Sequence, residues 1–333
     1  MSASLVRVAD WAVISPLGSG KQDFTRAVNQ RRAARQPVRV SARGGVDRLS
    51  ALAIATADQL LGPVDVTTEM DRLTAVTLGT STGSLTRLVE MAHDSHSGRR
   101  GHDIRPMSIP SMVPNAAAGQ IAIHRRISGP NTTVAAGPAS GLHALSVAAR
   151  TIRLGHAERA IAGAVEERSY ARAKADLLTR SALERASAPL ADACALFRLE
   201  RTDRPTGTIL LGARYGFSNG GKGPQRDTLV RLIRALLDDN GLHPDAIDHV
   251  QLSQPESQPL REVEHEAVHA SLLGRSVPEF TVADMIGDAH SATGALQAGA
   301  ALAMSGRHRL ITSLGVNGEV AVMLLSHTAE EKE

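Results

Sequence analysis

The segment from Gly129 to Leu145 (Gly-Pro-Asn-Thr-Thr-Val-Ala-Ala-Gly-Pro-Ala-Ser-Gly-Leu-His-Ala-Leu) constrains the fold more than any other part of this chain. Its β-branched run suits a strand, Gly137-Pro138 breaks that strand, and from Ser140 the apolar residues fall at helical spacing. A buried strand turning abruptly into a helix through residues this small is a building unit of layered α/β proteins. Pro138 then sits at a helix N-terminus, where aligned peptide dipoles stabilise an anion and would suit a nucleophile. Proline has no group to ionise.

The remaining chain repeats this alternation. Strands are expected at Leu5–Ser15, Leu73–Leu78, Thr132–Ala136, Arg159–Ala164, Cys194–Leu199, Thr208–Tyr215, His249–Leu252, Leu310–Leu314 and Ala321–Ser326. Helical spacing covers Asp47–Leu61, Leu85–His93, Asn115–Arg126, Ser140–Leu154, Leu229–Asp239 and the Ala-rich Gly294–Ser305. Aromatic residues are only 2% of the 333, so Ala, Val, Leu and Ile must fill the interior, which suits closely packed α/β layers. No low-complexity linker interrupts the series. Two αβ halves sharing one core are therefore expected, 1–188 and 189–333, divided near Arg185–Asp192.

The formal charge of +3 is carried almost wholly by arginine, which suits an acidic partner. Base-stacking aromatics are too scarce for a nucleic-acid binder. The single cysteine, Cys194, lies in an expected strand and reads as core; it excludes an internal disulfide and fits a reducing, cytoplasmic setting. Residues Met1–Asp10 carry no basic start followed by an apolar run, so no secretory leader is expected, and no stretch is apolar enough for a membrane span. The arginines of Arg31–Arg43 read as a solvated loop.

Three motifs mimic catalytic signatures. His265-Glu266-Ala267-Val268-His269 has the spacing of a zinc hydrolase helix, with Glu279 an unmarked third ligand, and a zinc-dependent hydrolase is retained as an alternative. Gly79-Thr80-Ser81-Thr82-Gly83 follows a strand like a hydrolase elbow, but reads as a glycine-rich turn. Gly216–Gly223 nearly completes a phosphate-binding loop, yet Gly223 stands where a Mg²⁺-binding hydroxyl belongs. No metal or cofactor is expected.

Set beside Gly129–Leu145, further landmarks occur in order: Val13–Gly18, Gly79–Gly83, Asn115–Gln120, Ala162–Glu167, Met285–Gly287 with Gly294–Leu296, and Ser313–Gly318. Together they resemble the elongating β-ketoacyl-acyl carrier protein synthases of the thiolase superfamily. The resemblance implies a five-layer αβαβα sandwich of two similar halves that dimerises through the active-site strand. It also implies a Cys and two His, for acyl transfer and for decarboxylation of the extender. Here the Cys position is Pro138. The first His position is Ser253 or Gln254, depending on one gap. The second is Asp288, with His290 two residues out of register, and the family lysine falls near Ala283. The aromatic gate is Val316. Proline also lacks the backbone N–H that serves as an oxyanion donor.

Within that resemblance the chain is most similar to a chain length factor, an inactive subunit that pairs with an active ketosynthase and shapes the tunnel for the growing acyl or polyketide chain. Leu85, Leu88 and Met91 would then line the tunnel. Ser108, Ile109 and Met112, with Thr133 on the interface strand, would face the partner. An acyl carrier protein is the other implied partner, with Arg99, Arg100, Arg125 and Arg126 as contacts. A homodimeric acyl-binding protein is the second alternative.

Overall fold

A computed structural model describes residues 4–34, 37–41, 45–63, 71–97, 106–179, 189–218, 222–255 and 257–328. The chain opens with β1 (Leu5–Ser15), a short return β2 (Gly18–Ser19), α1 (Lys21–Asn29), α2 (Arg48–Leu61), β3 (Thr74–Gly79) and α3 (Leu85–Ser97). A 3₁₀ turn at Pro106–Ser111 leads to α4 (Ala116–Arg125), β4 (Asn131–Val134), α5 (Ser140–Arg153), β5 (Arg159–Glu166), α6 (Tyr170–Thr179) and β6 (Ala193–Thr202). Then follow β7 (Gly207–Phe217), α7 (Lys222–Asp239), β8 (Ile247–Gln251), α8 (Gln258–Ser271), β9 (Glu279–Phe280), α9 (Ala283–Ile286), α10 (Thr293–Ala303), β10 (His308–Leu314) and β11 (Glu319–Thr328). No described helix is long and apolar enough to cross a membrane.

The strands run in the order β4-β3-β5-β6-β1-β7-β11-β10-β8-β9, with β2 paired to β1. Each half has the same order when read from its own outer edge: β4-β3-β5-β6-β1 on one side, β9-β8-β10-β11-β7 on the other. Among the described strands, the two halves pair where Arg7 and Val8 of β1 meet Ile209 and Thr208 of β7. Pairing with β5 and β1 assigns β6 to the first half. The repeat therefore turns over after Thr202, and the expected division at 188/189 does not coincide with it.

Helices α2 and α4 cover the outer face of the first sheet, α7 and α8 the outer face of the second, and α5 and α10 lie between the sheets. The fold is thus an αβαβα sandwich with three apolar layers. Strand alternation sorts side chains by size across it. On β5, Ala160, Ala162 and Ala164 face the middle layer while Ile161 and Val165 face outward. Small residues on the inner side let the middle helices come close. Gly141 has Ala295 N only 2.6 Å from where its Cβ would lie, and a Cβ at Gly294 would be 2.9 Å from Leu142 Cγ. Three of the seven aromatic residues collect at one place in this layer, where Trp11 stacks on Phe197 and meets Phe24 edge-on.

The expectation of a buried strand over Thr132–Ala136 is corrected. Strand β4 is not buried: Asn131 and Thr132 are exposed, and among the described residues β4 pairs only with β3, which leaves its other edge open there. The strand at Thr132–Ala136 is also shorter, because Ala136 already accommodates the turn by offering its N–H to Ser140 Oγ. The region Gly216–Gly223 is no phosphate loop at its start, since Gly216 and Phe217 remain in β7, paired with β11; residues 219–221 lie outside the described set.

His249 on β8 is 2% exposed beside Arg309 and Asp248. Burial, helped by the Arg309 charge, pushes its imidazole down to about 4 from the ordinary 6.5. The unfolded chain therefore takes up a proton between pH 6.5 and 4 that the folded chain does not. The stability this group contributes is present above pH 6.5 and is lost as pH falls through that window. His249→Gln should flatten the acid limb of the stability profile by up to one proton, about 1.4 kcal/mol per pH unit. Urea melts of both proteins at several pH values between 7 and 4 check this, and equal slopes would refute it.

Candidate functional site

A cavity of about 100 Å³ opens where the middle layer meets the loops at the ends of the second sheet. Pro138, Ser253, Gln254, Asp288 and Val316 all line it, although they come from four separate stretches of the chain. His290 and Ala283 lie on the same wall. The spatial convergence of these positions is the main structural finding.

Each wall has its own local cause. Gly137, at φ +53°, makes the turn before α5. Ser140 locks it by donating to Gly137 O at 2.7 Å and accepting from Ala136 N at 2.8 Å. Ala139 is the helix cap, so Pro138 stands just before the cap and outside the first turn of α5. The Glu319 carboxylate lies against this turn. A Cβ at Gly137 would be 2.9 Å from its Oε1, and one at Gly315 would be 2.2 Å from its Oε2. Only glycine fits at either place while Glu319 remains there.

The opposite wall hangs on Glu264, which lies within the helix that carries the zinc-like motif. Its Oε1 accepts from Ser253 N at 2.9 Å, from Ser253 Oγ at 2.8 Å and from Thr312 Oγ1, and its Oε2 accepts from Gln254 N at 2.8 Å. Ser253 Oγ in turn accepts from Leu314 N at 3.1 Å. One carboxylate so holds the loop after β8, including Gln254 in a left-handed conformation at φ +48°. Burial raises the Glu264 carboxyl above its ordinary range, and these donors oppose the rise. On the third wall, Asp288 Oδ1 accepts from His290 N at 2.6 Å. His290 is turned toward Glu166, with Nδ1 4.0 Å from Oε2, and burial lowers its imidazole pKa.

Among the described residues the cavity lining holds no thiol and one imidazole, that of His290, whose Nδ1 lies 4.0 Å from Glu166 Oε2. Arg261 lines it as well, with its Nε donating to Pro255 O at 2.8 Å. Glu264, Glu319 and Arg261 were not singled out from the sequence. A glutamate inside an amphipathic helix carries no local sign of the loop it will hold, and the Glu264 side chain was masked by the alternating charges around it.

The other expected site residues form a separate surface. Leu85, Leu88 and Met91 lie on α3, Ser108 and Ile109 on the 3₁₀ turn with Met112 just beyond it, and Thr133 on β4. Leu88 and Ile109 are each 43% exposed, and the others are partly buried. None of the seven lines the cavity.

The remaining motifs resolve into structural roles. His265 pairs with Glu279 at 2.7 Å, while Glu266 reaches outward to Arg226, and no group of three potential metal ligands occurs among the described residues. The Gly79–Gly83 turn buries Thr80, and Ser81 Oγ accepts from Arg172 at 2.9 Å. Cys194 is buried in the outer layer of the first sheet, where its thiol is pushed up to about 12. Arg125 is buried against Asp58 at 3.0 Å and Gly62 O at 2.7 Å, which argues against a carrier-protein contact. Arg126 caps α4 in the left-handed region at φ +55°. Arg99 and Arg100 lie outside the described residues.

The family model for the β-ketoacyl synthase N-terminal domain matches residues 16–196, and the chain belongs to this β-ketoacyl synthase family. The 3-oxoacyl-[acyl-carrier-protein] synthase 2 of Vibrio harveyi is 32% identical over 106 residues, 32% of this chain and 25% of that protein. Its counterpart in Rhizobium meliloti (strain 1021) is 33% identical over 124 residues, 36% of this chain and 29% of that protein. The chain thus matches between a quarter and a third of the length of these curated relatives. The ishigamide ketosynthase/chain length factor superposes with a TM-score of 0.83 at 26% identity, covering 98% of this chain and 100% of that one. A β-ketoacyl synthase from Burkholderia phymatum STM815 superposes at 0.85 with 16% identity, over 98% and 100% of the two chains, and shares the fold.

Glu264→Ala should leave the N–H groups of Ser253 and Gln254 without their acceptors. The expected cost is roughly 3 kcal/mol or more, read as a lower urea midpoint. A loss below about 1 kcal/mol would show that the loop holds without it.

Proposed function

We propose that this chain is a noncatalytic, chain-length-factor-like subunit that pairs with an active ketosynthase and shapes the space for a growing acyl or polyketide chain. The observation that carries the reading is the single cavity around which Pro138, Ser253, Gln254 and Asp288 converge. These are the positions where the family resemblance calls for the nucleophile and both histidines. No thiol can form the acyl-enzyme there, and no N–H at Pro138 can bind its oxyanion.

Pairing is supported by the open edge of β4. An exposed strand edge with β-branched residues is a template for another strand, and β4 leads directly into the turn at Pro138. Elsewhere in the first half, α3 has no fully buried side chain, and Leu88, Val89, Ile109 and Val113 are exposed, as are Leu177 and Leu178 of α6. Apolar surface of this kind on a folded chain signals a partner. Thr133, Ser108, Ile109 and Met112 would face that partner, and Leu85, Leu88 and Met91 would form the tunnel wall. The likeness to the ishigamide ketosynthase/chain length factor favours a heterodimer over a homodimer, with an acyl carrier protein delivering the chain in the cytoplasm. No resident cofactor takes part.

The test is co-expression with an active ketosynthase and its carrier protein from the same producing system. A stable one-to-one complex is expected, with Leu88→Trp shifting products to shorter chains. A stable homodimer that takes up no ketosynthase would overturn the pairing. Pro138→Cys offers an independent check on lost catalysis. It should yield a thiol that iodoacetamide alkylates, yet no condensation by the chain alone, because Ser253 and Asp288 supply no imidazoles. Turnover by the unmodified chain alone would refute the noncatalytic reading.

A further inference from the structure

Two adjacent carboxylates at the end of β5 hold the helices that carry the exposed apolar surface. Glu166 is 1% exposed and Glu167 2% exposed. Glu167 Oε1 accepts from Thr86 Oγ1 at 3.1 Å and from Ser84 Oγ at 3.4 Å. Both donors belong to the start of α3, a helix that buries none of its own side chains. Glu166 ion-pairs with Arg172 at 2.6 Å and accepts from Ser81 N at 3.3 Å and from Ser291 Oγ. Arg172 is the buried residue of α6, and it also donates to Ser81 Oγ at 2.9 Å. The helices touch one another, and α3 touches the 3₁₀ turn.

This attachment is unlike that of the other large helices, which are held by apolar layers. A helix whose side chains are at most partly buried gains less from the hydrophobic effect in the free chain than one with a fully buried face. Its place is then set by directional contacts to charged groups, which are stronger than neutral hydrogen bonds and are further strengthened away from water. Burial raises the Glu167 carboxyl above its ordinary range, with the nearby Asp47 and Glu166 charges adding to the rise and Thr86 opposing it. Charge is thus kept in an unfavourable place.

We infer that Glu166 and Glu167 are positioning residues, a paired latch that fixes α3 and α6 on the end of β5 and so sets where Leu85, Leu88 and Met91 stand. The latch serves the tunnel-wall role proposed above and rests on that reading for its link to product length. The positioning itself does not depend on it. Contacts made through Glu167 act on α3, and those through Glu166 and Arg172 act on α6 and the Ser81 turn, so the helices should loosen separately.

Hydrogen exchange on the full chain, followed by product analysis in the reconstituted complex, tests this. Glu167→Ala should speed exchange across residues 85–97 by about tenfold or more while leaving α5 and α10 unchanged. Glu167→Gln keeps an acceptor oxygen for Thr86 and Ser84 and should restore most of the protection. Arg172→Met should instead loosen residues 170–179. In the complex, Glu167→Ala should broaden the product-length distribution, and Glu167→Gln should narrow it again. Unchanged exchange in α3 for Glu167→Ala, or equal loss with Glu167→Gln, would overturn the latch. Faster exchange with unaltered products from an active complex would support the latch and remove the tunnel-wall role of α3.

Discussion

The close passage of α5 and α10 through the middle layer is the constraint on which this fold depends. Each half contributes one helix, in the same place of the same strand order, and the two share the space between the sheets. A Cβ at Gly141 would strike the backbone of Ala295, and one at Gly294 would strike Leu142. Overpacking in such a place displaces backbone and costs on the order of 1–3 kcal/mol. The alanines on the inner face of β5 serve the same end. Because the helices meet so closely, their N-terminal ends are brought near each other, and the cavity at Pro138 and Asp288 lies beside that meeting point.

This explains why the scaffold tolerates Pro138, Ser253 and Asp288. All three lie at the ends of elements, on turns held by polar contacts, and outside the three apolar layers. Ser140 holds the first turn, Glu264 the second, and Asp288 itself the third through the N–H of His290. At the first turn the support comes from Ser140 and not from Pro138, so the side chain lining the cavity there can change while the turn stays in place. Layers and chemistry are separable here, so a family member can keep the fold with a different set of groups at the cavity.

Much of this was legible in the sequence. β1 runs over the expected Leu5–Ser15, and the helix expected over Asp47–Leu61 is α2, with Asp47 as its cap accepting from Ser50 N at 3.0 Å. Periodicity reports these elements because they bury one face. The cavity residues could be collected only through family resemblance, since nothing local links Pro138 to Ser253, more than a hundred positions on. Three things escaped. The edge position of β4 is a matter of strand order, and Thr and Val suit an edge as well as a centre. α6 buries chiefly an arginine, so it shows no apolar stripe. Glu264, Glu166 and Glu167 act through partners far away in the chain, and a glutamate's distant partner leaves no trace beside it.

The structure therefore divides its stabilisation between two kinds of contact, and the division follows the proposed task. Apolar packing fixes the two sheets and the helices around them, where any shift would create voids or clashes. Polar contacts to Glu166 and Glu167 fix α3 and α6, whose apolar side chains remain on the surface. A wall that must meet another protein cannot also be buried in its own core. Holding it from behind by carboxylates leaves its apolar face available, and it keeps that face in one place before the partner arrives. Preorganisation of this kind lowers the ordering cost of association. In the proposed pairing, the interface geometry is then set by two residues that need touch neither the partner nor the acyl chain.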